Sequence, residues 1–241
     1  MNKNVDADFL ALPLAAVSDA AISTAKDAGA SHVDVRIERT RNGLLSLRDA
    51  RPETQSDETN AGLGVRVIVN GAWGFASSPE ISVDVAKKLA LTAVAMAKTS
   101  KPLSTELVSL VTEPVYANQT WVSDYEIDPF SVTDSDKKDR LADLSNRLLK
   151  SANVNHTSAH TMFVKEQKHY ADSYGTSTTQ QRVRIQTQIP RFGLHTQALL
   201  QVRLTLLRVA LMFSPLQRQL APASWQHRQR SQEMKQIPTL H

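Results

Sequence analysis

Gly62-Leu63-Gly64-Val65-Arg66-Val67-Ile68-Val69-Asn70-Gly71-Ala72-Trp73-Gly74-Phe75-Ala76-Ser77 is the run whose reading decides the fold of this 241-residue chain. Leu63, Val65, Val67 and Val69 recur at every second position. Strand side chains point to opposite faces in turn, so this spacing builds one apolar sheet face. Asn70-Gly71 is the dipeptide best suited to the two positive φ angles of a tight hairpin turn. Trp73, Phe75 and Ser77 then alternate along the returning strand. The run reads as a β-hairpin.

Upstream, Val33, Val35 and Ile37 alternate with Asp34, Arg36 and Glu38, the pattern of a half-buried strand. Asn42-Gly43 predicts another hairpin turn, with Leu45 and Leu47 on the strand that returns. The polar residues 51–60 fit a solvated strand or a loop, and the pattern leaves both open. Residues 13–26 are alanine-rich with helical spacing, with Pro13 suited to a first turn and Gly29 to a stop. Downstream, Ser78-Pro79-Glu80 opens a second predicted helix running to about Lys98.

Residues 101–133 read as a long ordered loop with prolines at 102, 114 and 129 and aromatics Tyr116, Trp121, Tyr125 and Phe130. A third helix is predicted over 134–150, with Leu141, Leu144, Leu148 and Leu149 as its stripe, acids early and Lys150 late. Strand-like sequence over 154–170 and 176–185 flanks a turn at Ser173-Tyr174-Gly175. This order predicts an α+β fold: an antiparallel or mixed sheet with helices packed on one face, two layers, followed by an irregular basic tail.

The net charge of +4 averages two unlike parts. Residues 1–172 hold 19 Lys and Arg against 23 Asp and Glu, whereas residues 173–241 hold nine against the single acid Glu233. Twelve glutamines fall in the same tail. The shift marks a boundary, set at a first domain of 1–186 and a low-order basic tail of 187–241 rich in Gln, Arg and Leu. Within the tail, residues 199–213 are apolar but shorter than the roughly 20 residues a membrane helix needs, and they carry Arg203 and Arg208. No membrane association is expected. The polar N-terminus lacks a signal-peptide pattern, and the absence of cysteine is compatible with a cytoplasmic protein and excludes disulfides and thiolate metal sites.

Candidate chemistry is sparse. None of the seven histidines precedes a glutamate, and His156 and His160, four apart on a predicted strand, stand about 13 Å from each other. Asp124, Glu126 and Asp128 alternate around Tyr125 and read first as a solvated acidic loop, although paired carboxylates can serve acid–base chemistry. Gly62-Leu63-Gly64 lacks the third glycine and the following helix of a dinucleotide site, so it reads as a bulge or a close backbone approach. Residues 165–168 and 176–181 are candidates for a sheet edge that takes up an extended peptide. The scattered tail arginines, with Trp225 as the one stacking aromatic, make nucleic-acid binding a minor alternative. No catalytic, cofactor-binding or metal-binding residue is assigned.

Several blocks resemble, in the right order, the N-terminal domain of the TldD/PmbA family, on the TldD branch. They are Ala30-Ser31-His32-Val33-Asp34-Val35-Arg36, Gly62-Leu63-Gly64-Val65-Arg66-Val67, Gly71-Ala72-Trp73-Gly74-Phe75-Ala76, Tyr125-Glu126-Ile127-Asp128-Pro129-Phe130, Phe163-Val164-Lys165-Glu166-Gln167-Lys168 and Thr178-Thr179-Gln180-Gln181-Arg182-Val183-Arg184. The resemblance covers roughly residues 10–186. It implies a family of bacterial zinc metallopeptidases, also described as modulators of DNA gyrase, in which TldD and TldE (PmbA) subunits pair and degrade unfolded peptides. The family's zinc site, a His-Glu-x-x-x-His helix and a later cysteine, has no counterpart in this sequence, so zinc is expected of the full-length family and not of this chain. The resemblance therefore implies the non-catalytic N-terminal half of a TldD-like enzyme, inactive alone, with a TldE/PmbA-type subunit or a second copy as its partner. A partner-binding or regulatory module is the alternative. The tail departs from the family after Gln186, and its composition is that expected of a truncated, frame-shifted reading.

Overall fold

The computed structural model describes residues 4–104 and 106–193. The expectations placed on residues 194–241, among them the frame shift, the apolar run of 199–213 and nucleic-acid binding through the tail, lie outside the described residues. The chain opens with a short helix α1 (Ala7–Leu10) and helix α2 (Leu14–Asp27). Strands β1 (His32–Arg48), β2 (Arg51–Val69) and β3 (Ala72–Ser78) lead to helix α3 (Val83–Ser100). Strand β4 (Gln119–Val122), helix α4 (Asp134–Leu149), and strands β5 (His156–Asp172), β6 (Ser177–Gln188) and β7 (Arg191–Phe192) complete the order. The sheet runs β3-β2-β1-β5-β6-β4, with β7 beside the start of β5. All pairs are antiparallel except β4 with β6, so the sheet is mixed.

Among the described residues the three long helices pack on one face, as the α+β reading expects. Val33, Val35 and Ile37 of β1 stand opposite Val67, Val65 and Leu63 of β2, and all six are buried beneath α2 and α3. The helices contribute Val17, Ala21, Ala25, Ala86, Ala90 and Ala93, each fully enclosed. The alanines let helix and sheet backbones approach closely. Gly74 is the tightest point: a Cβ there would fall 1.9 Å from the Ala93 carbonyl oxygen. Segment 7–27 has the length and apolar composition of a membrane-crossing helix. Here Phe9, Leu14, Val17, Ala21 and Ala25 seat on the sheet instead.

A second apolar cluster lies at the other end of the same face, where α4 places Leu141 over Leu45, Leu47, Ala159, Phe163 and Ile189. Thr133 caps α4 by accepting from the Asp136 amide at 3.1 Å, and α3 is capped likewise by Ser82. The second helix thus begins at Val83, and Ser78-Pro79-Glu80 precede it.

The Asn42-Gly43 turn does not form. Both residues lie inside the 17-residue strand β1, paired with β2 on one side and β5 on the other. Gly43 is placed there by packing: a Cβ would approach the Phe163 ring to 3.1 Å. The turn comes six residues later at Asp49 and Ala50, both at positive φ. Residues 51–60, left open between strand and loop, are strand, opposite residues 40–48. Asn70-Gly71, with φ of 50° and 79°, turns as expected.

Candidate functional site

Between the two apolar clusters the inner face of the sheet becomes polar. Residues of one parity on β1 and β5 continue the apolar stripe as Arg39, Arg41, Lys165 and Gln167, with Gln181 added by β6. Two segments cover them: the N-terminal residues 4–6 and the loop 123–131. Lys165, whose side chain is 8% exposed, donates to Asp6 at 3.2 Å and makes a short ion pair with Asp128. Burial acts to lower its pKa, but the hydrogen bond and charge of Asp128, with Asp6 behind it, outweigh that and hold it above the ordinary lysine value. Such an amine is locked in its charged form and suits neither proton abstraction nor nucleophilic attack.

The neighbours are similarly engaged. Arg39 donates to Gln167 at 2.6 Å and lies over the Phe9 ring. Arg41 makes a two-pronged bond to Asp57 and lies 4.5 Å from the Phe130 ring centre. The buried Gln181 accepts from the Asp6 amide and from Gln167 Nε2, and donates to the Asn4 carbonyl. This network ties the N-terminus and the loop to the centre of the sheet.

Beside it opens a cavity of about 490 Å³ between the loop, α4 and strands β5 and β6. Phe163, Leu141 and Ile185 form its apolar surface, and Glu126, Asp136, Asp139 and Arg140 stand around it. A hollow of similar volume, about 500 Å³, lies at the tip of the β1–β2 hairpin around Arg48, Asp49, Arg51, Pro52 and Glu53. It lacks an apolar floor and offers less to a ligand.

On the opposite face a carboxylate is buried. Asp34, 1% exposed, accepts from Arg66 Nε at 2.7 Å and lies within 3.6 Å of both Arg36 and His32. Burial is the largest influence on its pKa and acts upward, but hydrogen bonds from His32 and Arg66 and the two arginine charges win, leaving it below the ordinary aspartate value. Asp34 Oδ1 and His32 Nδ1 are buried without hydrogen-bond partners. Tyr170 nearby has its pKa raised, chiefly by burial.

The residues singled out from sequence separate accordingly. Of the acidic loop, Asp128 joins Lys165 and Glu126 borders the cavity. Each histidine of interest has its own neighbour: His156 bonds Asp49 at 2.9 Å, His160 bonds Gln188 at 3.0 Å and His169 bonds Thr179 at 3.1 Å. They do not converge, and among the described residues no group of three or more His, Asp or Glu side chains could hold a metal ion. The donor set does not fit zinc. Gly64 lies in strand β2 beneath the Phe75 ring, a close approach rather than a nucleotide loop. Residues 165–168 and 176–181 are no free edge: β5 is central, and β4 covers β6 from Thr178 to Gln181. The network around Lys165 escaped sequence reading, since its members are spread from Asp6 to Gln181; a lysine in register with buried positions of β5 was the available signal.

Residues 33–97 match the family model for the PmbA/TldA metallopeptidase domain 1. A metalloprotease of Methanocaldococcus jannaschii is 27% identical over 131 residues, 52% of this chain and 29% of that protein. Among solved structures, a protein described as a modulator of DNA gyrase from Bacteroides thetaiotaomicron superposes with a TM-score of 0.54 at 14% identity, over 76% of this chain and 42% of that one. TldE from Thermococcus kodakarensis superposes with a TM-score of 0.52 at 16% identity, over 76% and 40%. The chain spans less than half the length of each of these relatives.

Proposed function

We propose that this chain, which carries the first domain of the PmbA/TldD metallopeptidase family, serves as the non-catalytic N-terminal half of a TldD-like enzyme that degrades unfolded peptides. The observation that carries this reading is the match over residues 33–97, the unit of β1, β2, β3 and α3 that supplies most of the larger apolar core. The engaged state of Lys165, Arg39 and Arg41 is consistent with it, because these charges brace the domain. Its place is the cytoplasm, and its partner a TldE-type subunit. The likeness of the fold to TldE favours that pairing, since two subunits built on one fold can present self-complementary surfaces.

The test is a peptide-hydrolysis assay with added zinc, on the full chain alone and mixed with an intact TldE-type subunit, with and without chelator. No cleavage by the chain alone is expected, together with co-elution of chain and partner on size exclusion. Chelator-sensitive cleavage by the chain alone overturns the non-catalytic assignment, and separate elution overturns the pairing.

A further inference from the structure

The face of the sheet opposite the helices carries a ladder of aromatic and charged side chains across four adjacent strands. Arg66 of β2 stands between Phe75 of β3 and Asp34 of β1, and Asp34 is in turn opposite Asp172 of β5. The guanidinium of Arg66 lies 4.6 Å from the Trp73 ring centre, and that of Arg36 lies 5.9 Å from the Tyr170 ring centre. Both arginines turn Nε to the buried Asp34, Arg66 at 2.7 Å from Oδ2 and Arg36 at 3.5 Å from Oδ1. Among the described residues no hydrogen bond or ion pair occupies the Nη groups of either arginine. The side chains of Arg36 and Arg66 stay 46% and 40% exposed. Other charges of this face are matched among themselves: Lys168 pairs with Glu38 at 2.9 Å, and Arg182 and Arg184 share Glu166. Asp172 accepts from the Tyr174 and Thr176 amides and from the Tyr170 hydroxyl. One carboxylate thus serves two guanidiniums and leaves their four Nη groups to bind something else.

We propose that Arg36 and Arg66, held by Asp34, bind the phosphate group of a small organic phosphate whose planar apolar part rests on Phe75. The guanidinium fork matches a phosphate edge with two parallel hydrogen bonds. A phosphate has oxygens enough to meet two forks, whereas a lone carboxylate is used up by one. The Nε contacts to Asp34 and the stacking on Trp73 and Tyr170 fix both arginines before a ligand arrives, so little rotamer freedom is lost on binding. Phe75, directly across from Arg66, is 52% exposed and offers a ring face beside the charge. A nucleic-acid strand fits less well, because the remaining cations of this face already hold acids and none is left for a second phosphate. This site depends neither on the pairing nor on the non-catalytic role proposed above.

The full chain, labelled with nitrogen-15, is titrated with phenyl phosphate, inorganic phosphate and acetate, and NMR follows the arginine Nε–H and Trp73 indole signals. Saturation by phenyl phosphate in the millimolar range is expected, with inorganic phosphate about threefold weaker and acetate about tenfold weaker. Arg36→Lys keeps the charge but loses the fork, and weakens both phosphates by about fivefold. Phe75→Ala, at an exposed position, removes the advantage of phenyl phosphate and leaves inorganic phosphate unchanged. Lys168→Gln, on the same face, changes neither by more than about twofold. Absence of saturation, equal binding of acetate, a phenyl preference that survives Phe75→Ala, or equal losses in Lys168→Gln and Arg36→Lys overturns the proposal. Tighter, steeply salt-dependent binding of a short oligothymidylate also overturns it, in favour of a nucleic-acid strand.

Discussion

At the residue scale, two buried charges set how the domain responds to pH. Asp34 has a folded-state pKa below its unfolded value, so its contribution is complete above the ordinary aspartate pKa and is lost as pH falls through the folded one. Asp34→Asn is expected to lower stability at pH 7 by about 1–2 kcal/mol, less than a fully buried pair because Arg66 and Arg36 are partly exposed. It is also expected to flatten the loss of stability below about pH 4. Urea midpoints at pH 7 and pH 3 check both; an unchanged acid limb removes Asp34 as its source. Lys165 has the opposite sign: its raised pKa stabilises the fold below the unfolded lysine value, and that contribution fades only as pH climbs through the folded one. Lys165→Met leaves Asp128 and Asp6 facing each other's charge, with an expected loss of about 1–3 kcal/mol and faster proteolysis in loop 123–131. Limited chymotrypsin digestion of both proteins, with Tyr125 and Phe130 as the cleavage sites in the loop, reads this directly. None of these partnerships was legible in the sequence. Asp34 stood on the polar side of an alternating strand, and only the register of β1 against β2 brings Arg66 across from it.

At the element scale, the long strands are the main correction to the sequence reading. Asn42-Gly43 has the strongest local turn preference near β1, yet 15 residues of β5 pair across residues 34–48 and hold it extended. Two flanking strands outweigh a turn propensity of about 1 kcal/mol. The turn taken instead uses Ala50 at φ 63°, a conformation that costs an L-residue about 1–2 kcal/mol. Ala50→Gly should therefore raise the unfolding midpoint, by up to about 1 kcal/mol, as thermal denaturation would show; a lower midpoint means the site is not strained. Gly74 gives the reverse expectation. Gly74→Val forces α3 away from β3 at Ala93 and should destabilise by about 1–3 kcal/mol or more, exposing the core between α2, α3 and the sheet. A wild-type denaturation curve for Gly74→Val would contradict that packing. The helices were more legible than the strands, since alanine-rich spacing and the leucine stripe of α4 encode a face directly, and only their first turns moved by a few residues.

For the whole molecule, regular structure runs past the composition break near residue 186. Strand β6 continues to Gln188, Ile189 is buried among Leu45, Leu47 and Phe163, and β7 at Arg191–Phe192 pairs with Thr157 and His156. A chain ended at residue 193 should thus be more stable than one ended at 186 by about 2–5 kcal/mol, the usual consequence of removing a large buried aliphatic residue. Parallel thermal melts of the two decide it, and equal midpoints would show that Ile189 carries little of the second core. By itself the sequence determined the α+β class, the hairpin at Asn70-Gly71, the one-sided helical layer and the family resemblance of roughly residues 10–186. Each follows from local periodicity, or from short blocks whose order survives without knowledge of contacts. Tertiary structure alone decided that β1 runs unbroken through Asn42-Gly43, that Lys165 meets Asp6 and Asp128, and that among the described residues β4 covers β6 only from Thr178 to Gln181. The reason is physical: these are properties of pairing between segments 37 to 159 residues apart, and strand register, which no local pattern specifies, places the charges and chooses the edge.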